Sequence, residues 1–261
     1  MTLTAPTVRS TRAIDRINPV AKLAAAFLLS FCLVLSVDWV SASVALLLEA
    51  LLLPFAGLSW RQFWLRTSPV WVAAPLTGVT IALYGQSSGQ VHWEFVLARV
   101  SDGSLELALA TMLRVLAIAL PAVVLFVTID PTDLADGLAQ VLRLPARFVL
   151  GALAGLRLIS LFFDDWRSLE LARRARGVAD RGRIRRMLGQ AFALLVLSIR
   201  RGSKLATAME ARGFGSSRTR TWARPSRFRS ADWAVAASGL VVGATAIATS
   251  VTTGNWNFIV G

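Results

Sequence analysis

Apolar residues run in long blocks separated by short polar clusters. Blocks at 21–37, 39–57, 69–85, 115–129 and 233–251 approach the roughly 20 residues a helix needs to cross a hydrocarbon core. The fourth is extended upstream by 105–114, which holds Glu106 and Arg114. Charge is scarce inside the blocks: Lys22 stands near the start of the first, and Glu49 interrupts the second. This pattern predicts an all-α membrane protein with about five transmembrane helices, six being the other count left open. Asn18-Pro19 supplies an N-cap and a first helical residue for the first of them.

Between 130 and 231 the pattern changes. Its apolar stretches, 148–163 and 187–199, are 16 and 13 residues long, and Arg157 breaks the first. A short helix is expected over 133–143, after Asp130-Pro131-Thr132 and with acidic residues in its first turn. Longer helices are expected over about 146–176 and 183–212, with a turn from Gly177 to Gly182. We read the two long helices as amphipathic rods lying along the inner membrane surface; true spans are the alternative and would add two helices. The chain therefore divides into N-terminal membrane helices (1–129), a helical domain outside the bilayer (130–231) and a C-terminal membrane helix (232–261).

Charge sets the orientation. The chain carries 28 Lys and Arg against 15 Asp and Glu, and 55% of its residues are hydrophobic. Twenty of those basic residues, with eight of the acids, fall in 130–231. The positive-inside bias then places the N-terminus, the loop 58–68 with Arg61 and Arg66, and all of 130–231 in the cytoplasm. The loop 86–104, with His92, Glu94, Arg99 and Asp102, falls outside. No small-residue cleavage pattern follows Arg9, Arg12, Arg16 and Lys22, so the first helix is expected to be retained. Arg181, Arg183, Arg185 and Arg186 fit the same bias and contact with anionic lipid, not nucleic acid. The lone Cys32 lies in an apolar block and can form no disulfide within the chain.

One phrase is written twice. Leu169-x-x-Ala172-x-x-Ala175-Arg176-Gly177 recurs 36 positions later as Leu205-x-x-Ala208-x-x-Ala211-Arg212-Gly213. Leu and the first Ala stand seven and four residues before Arg, so on a helix all three share one face, small next to the charge and large a turn further back. The glycine that follows suits a left-handed cap. Each arginine then sits at a negative helix end with a rigid fork of donors beside small residues, a plug for an acidic or carbonyl-rich groove. Duplication points to a partner with two similar subunits.

Catalytic chemistry finds little support. Gly202-Ser203-Lys204 lacks the order of a phosphate-binding loop, and one His with no Cys pair and no Gly-x-Ser-x-Gly leaves no zinc site or nucleophilic triad. Asp133, Asp136 and Gly137 approach the acidic opening of membrane CDP-alcohol phosphotransferases, but Gln140 and Val149 break the pattern and no Asp-x-x-x-Asp follows. Asp130, Asp133 and Asp136 are better read as acids beside a helix N-terminus. An ABC exporter permease would carry its own substrate path, whereas charge here avoids the middle of the blocks apart from Glu49 and Arg114. Glu49 is expected to face the bundle or a partner subunit. Gly151 and Gly155, like Gly239 and Gly243, have the small-xxx-small spacing of helix packing.

The chain resembles the transmembrane T component of energy-coupling factor (ECF) transporters. The resemblance rests on the two Ala-Arg-Gly motifs, "AMEARGFG" at 208–215, "DPTDLADGL" at 130–138 and "NPVAKL" at 18–23, where Asn18 replaces the family's usual Asp. It implies that the helices ending in Arg176 and Arg212 are coupling helices, each docked on one of two ABC ATPase subunits. Ala175, Arg176, Gly177, Ala211, Arg212 and Gly213 would make the docking contacts, supported by the face of Leu169, Ala172, Leu205 and Ala208. It further implies a separate substrate-binding S component that selects a vitamin or a transition-metal ion, biotin or cobalt among them. ATP would be bound by the partner ATPases, with no catalytic residue, cofactor or metal on this chain. The setting implied is the bacterial inner membrane. ATP-driven closure of the ATPases would shift the docked ends relative to each other and tilt the S component through the rigid helices.

Overall fold

The computed structural model describes residues 13–85, 88–95, 98–177, 182–215, 221–254 and 256. Its elements are almost all helical: α1 (Pro19–Val34), α2 (Trp39–Leu52), α3 (Trp60–Tyr84), a hairpin of β1 (Val91–Phe95) and β2 (Ala98–Ser101), α4 (Asp102–Val127), α5 (Pro131–Gln140), α6 (Ala146–Ala175), α7 (Arg183–Ala211) and α8 (Ser230–Thr252). They fall into two compact units, 1–137 with 226–261, and 138–225.

The first unit is a helix bundle, and its five long helices coincide with the five apolar blocks. Leu29 and Leu33 of α1, Ala45 of α2, Ala117 of α4 and Val242 and Ala246 of α8 form one apolar cluster. Val70 and Ala74 of α3 with Leu116 and Leu120 of α4 form a second. Helix α4 touches both, which makes it the common wall. Helices α4 and α8 are long and apolar enough to cross a membrane, while α1 and α2 are shorter apolar helices. The side chains left outside are large and greasy, Phe27, Phe31, Leu47, Leu51, Leu76 and Val241 among them. Lipid, not water, is the solvent such a surface suits.

Helix α3 starts nine residues before its apolar block, so the expected loop at 58–68 is mostly helical. Ser59 caps it, accepting a hydrogen bond from the Gln62 amide at 3.4 Å. Trp60, Phe63, Trp64 and Trp71 stack along its first turns, where Arg61 and Arg66 had suggested a break. Pro69 removes the amide that would reach the Leu65 carbonyl; the Ser68 hydroxyl donates to that carbonyl at 3.0 Å instead. The expected outer loop holds the two-stranded antiparallel hairpin, the one non-helical regular element among the described residues.

A polar cluster forms at one end of the bundle, where the starts of α1 and α8 meet the end of α4. Asn18 caps α1 as its sequence predicts, its side chain accepting from the Val20 amide at 3.0 Å, with Pro19 at the first helical position. Its own amide donates to Asp232 Oδ1 at 2.6 Å, and the other oxygen of Asp232 accepts the Arg229 amide at 2.6 Å. One carboxylate thus caps α8 and ties it to α1. Lys22, 1% exposed, donates through Nζ to the Thr128 carbonyl at 2.9 Å and its hydroxyl at 3.0 Å. That bond closes the last turn of α4, whose final carbonyls have no helical partner. Arg114 does the same for α1, its Nη2 donating to the Val34 carbonyl at 2.9 Å.

Helices α1 and α8 approach closely through the predicted glycine pair. A Cβ on Gly239 would lie 2.1 Å from the Ala25 carbonyl oxygen, and one on Gly243 would lie 2.5 Å from Cys32 Cβ. The other pair behaves differently: Gly151 and Gly155 have nothing within 4 Å of an added Cβ, so no helix packs there among the described residues. The spacing of the two pairs is identical, but only α8 has a neighbour laid across its glycines.

Two outcomes follow. Gly239→Ala should destabilise the bundle by at least about 2 kcal/mol, because backbone cannot yield as a flexible side chain does, whereas Gly151→Ala should leave thermal unfolding in detergent unchanged or slightly raised. Asp232→Ala leaves the buried Asn18 amide and the part-buried Arg229 amide without their acceptor and should cost about 2 kcal/mol, read in the same assay, with Asp232→Asn retaining part of the loss.

Candidate functional site

The second unit is built on α6 and α7, which run antiparallel. Arg173 of α6 reaches the Gly189 and Arg186 carbonyls of α7 at 3.0 and 3.4 Å. Further back along α6, Asp165 meets Arg201. Near the start of α6 the side chain of Arg147 lies beside Gly215, past the end of α7. Helix α6 is 30 residues long and among the three long and apolar enough to cross a membrane. Of its residues only Val149 is fully buried; Phe148, Leu156, Ile159, Phe163 and Leu171 are exposed. Ile184, Leu188, Phe192, Val196 and Ile199 of α7 are exposed as well. Such faces call for lipid or protein cover.

The two repeated phrases end these helices in the same way. Arg176 has φ −88° and ψ 2°, and Arg212 has φ −87° and ψ 9°. Each amide bonds back to the first alanine of its motif, Ala172 or Ala208, at 3.3 Å. Gly177 at φ 67° and Gly213 at φ 79° are left-handed, as the sequence predicts, and close the end by donating to Arg174 and Glu210 carbonyls at 3.0 and 2.9 Å. The Phe214 amide adds a bond to the Met209 carbonyl at 2.9 Å. A β-carbon resists that left-handed conformation, so glycine fixes where each rod stops.

Exposure repeats along with the backbone. Leu169 and Leu205 are half-buried, while Ala172, Ala175, Arg176 and Gly177 match Ala208, Ala211, Arg212 and Gly213 in lying open. Among the described residues neither motif guanidinium has an ion pair or hydrogen bond within the chain. Both are presented, not consumed. The antiparallel pairing sets the motifs at opposite ends of the hairpin, so the residues within each motif are brought together and the two motifs are kept apart.

Several residues with no clear sequence signal complete the unit. Arg173 holds the turn end, and Arg201 forks onto Asp165 with Nη1–Oδ2 at 2.5 Å and Nη2–Oδ1 at 3.3 Å. Away from the turn the helices part around a cleft of about 1350 Å³, lined by Leu153, Leu158, Leu205 and Met209 with Arg147 and Arg157. Of the other candidates, Glu49 is 4% exposed and faces the bundle, beside an apolar cavity of about 300 Å³, with no hydrogen-bond partner for either carboxyl oxygen. Asp130 caps α5, accepting from the Thr132 and Asp133 amides at 2.7 and 3.3 Å. Arg181 lies outside the described residues.

Known proteins resemble this chain in sequence. The profile of the cobalt transport protein family, CbiQ, matches residues 10–222. The energy-coupling factor transporter transmembrane protein EcfT of Limosilactobacillus fermentum is 31% identical over 206 residues, 72% of this chain and 74% of that protein. Its counterpart in Bacillus selenitireducens is 29% identical over 84% of both chains, and that of Lacticaseibacillus paracasei is 26% identical over 88% of this chain and 90% of its own. A duplicated Ala-Arg-Gly helix end on an apolar helical scaffold thus comes with extended sequence likeness, and the chain belongs to the CbiQ/EcfT family of membrane transport proteins.

Proposed function

We propose that this chain is the energy-coupling subunit of an ECF-type ABC importer, with Arg176 and Arg212 as the two points at which ATP-driven force enters. The observation that carries the reading is the geometric duplication: two arginines in the same backbone conformation, each followed by a left-handed glycine, exposed and unpaired at opposite ends of one hairpin. Two similar plugs at a distance suit two similar sockets, and a pair of ABC ATPases supplies them. The names of the relatives, all transmembrane proteins of energy-coupling factor transporters, support the same reading.

In this scheme each guanidinium enters a groove on one ATPase, its fork held by carboxylates or carbonyls at the negative end of its helix. Neighbouring alanines let the groove wall come close. ATP binding draws the two ATPases together, and the helix ends follow. The exposed apolar faces of the long helices meet an S component, which carries the vitamin or metal ion and is driven to release it inward. The N-terminus and the 138–225 unit face the cytoplasm of a bacterium, where the excess of basic residues belongs.

Arg176→Glu with Arg212→Glu should abolish uptake in cells expressing the whole transporter while leaving the amount of protein in the membrane unchanged, and uptake at the wild-type rate would overturn the proposal. Arg176→Lys with Arg212→Lys keeps both charges but loses the fork; uptake should fall at least about tenfold, and the two ATPases should co-purify less completely from mild detergent.

A further inference from the structure

The 36-residue offset between the motifs also relates two unlike residues that touch. Asp165 and Arg201 are also 36 positions apart, and each stands eleven residues before its own motif arginine, Arg176 or Arg212. These repeat-equivalent residues touch each other, Arg201 forking onto both oxygens of Asp165. When equivalent points of two repeats meet, the repeats are related by an approximate two-fold axis through that contact. Eleven residues at 1.5 Å rise give an arm of about 16 Å on either side, so the two tips lie on the order of 30 Å apart with the ion pair midway.

The two wings about that axis are unlike. On the Arg176 side, Arg173 bonds the Gly189 and Arg186 carbonyls and holds α6 to α7. The repeat equivalents of Arg173 and Gly189 are Met209 and Leu153, which have no donor to offer and line the 1350 Å³ cleft on the Arg212 side. One wing is clasped and the other stands open.

We propose that the Asp165–Arg201 pair is the fulcrum at which the open wing begins, the arm of α7 carrying Arg212 swinging away from α6 beyond it while the Arg176 wing is held by Arg173. This rests on the coupling role given to the two motifs above. A bidentate pair fixes register at one point and leaves rotation about that point free, whereas apolar faces slide past each other. With side chains 25% and 38% exposed, the pair adds little to stability, so its effect should appear in coupling. Asp165 and Arg201 are positioning residues: they touch no substrate and act through the arms.

The test uses the complete transporter, with its ATPases and S component, in liposomes, reading substrate imported per ATP hydrolysed. Asp165→Ala and Arg201→Ala should each lower that ratio at least about fivefold with ATPase co-purification unchanged, and the swap Asp165→Arg with Arg201→Asp should restore most of it. Leu153→Cys with Met209→Cys, joined by a bifunctional maleimide across the open wing, should stop import. Arg173→Cys with Gly189→Cys, joined across the clasped wing, should not. Unchanged ratios in the alanine variants, a folded swap that fails to restore coupling, or full import with the open wing joined would each overturn the fulcrum. Should the swap fail to fold, the two joined variants decide by themselves. Failure of the underlying coupling role looks different: the Arg176→Glu, Arg212→Glu transporter would then import normally, whatever the Asp165 and Arg201 variants did.

Discussion

A helix stops where its backbone can turn left-handed, and the second unit is organised by two such stops. Gly177 and Gly213 take up a conformation that a β-carbon penalises, which ends α6 and α7 at an alanine with the motif arginine as the cap residue. The consequence is positional. Each guanidinium stands at the negative end of a rod of about 30 residues, beside side chains too small to cover it. Were the helices to run on, the same arginines would become two more charges on a helix flank, of which this unit has many.

The bundle obeys a different constraint, that polar groups inside an apolar phase must find partners. At one end of the bundle the chain meets it with a single cluster: Asn18, Lys22, Thr128 and Asp232 satisfy caps and final carbonyls of α1, α4 and α8 together. Each bond joins elements more than 100 residues apart in sequence or closes a helix end, so the ring that seals the bundle is also what orders its helices. Two glycines on α8 let α1 come close, Gly239 against the backbone at Ala25 and Gly243 against the Cys32 side chain. A well-tied bundle and a hairpin of long rods suit the coupling role proposed above.

Much of this was legible beforehand. Five apolar blocks became five helices, Asn18-Pro19 became a capped start, and the glycines after Arg176 and Arg212 took the left-handed turn. Those features depend on local chemistry: length of an apolar run, a side chain that bonds its own backbone, absence of a β-carbon. The misreadings have physical causes. Arg61 and Arg66 concealed the first turns of α3, because charge marks where a hydrocarbon core ends and not where a helix does. The hairpin after α3 was hidden because its strands are too short for period to tell.

The chain by itself determined the helices, their ends and the duplication, since each follows from neighbours a few residues away. Only the tertiary structure decided which glycine pair has a helix across it, that Glu49 points into the bundle, and that Lys22 serves the end of α4. It alone revealed that Asp165 and Arg201, repeat-equivalent and of opposite charge, meet midway between the two motifs. Those facts concern residues brought together from distant positions, and the spacing of residues along a helix does not say what will lie across from them.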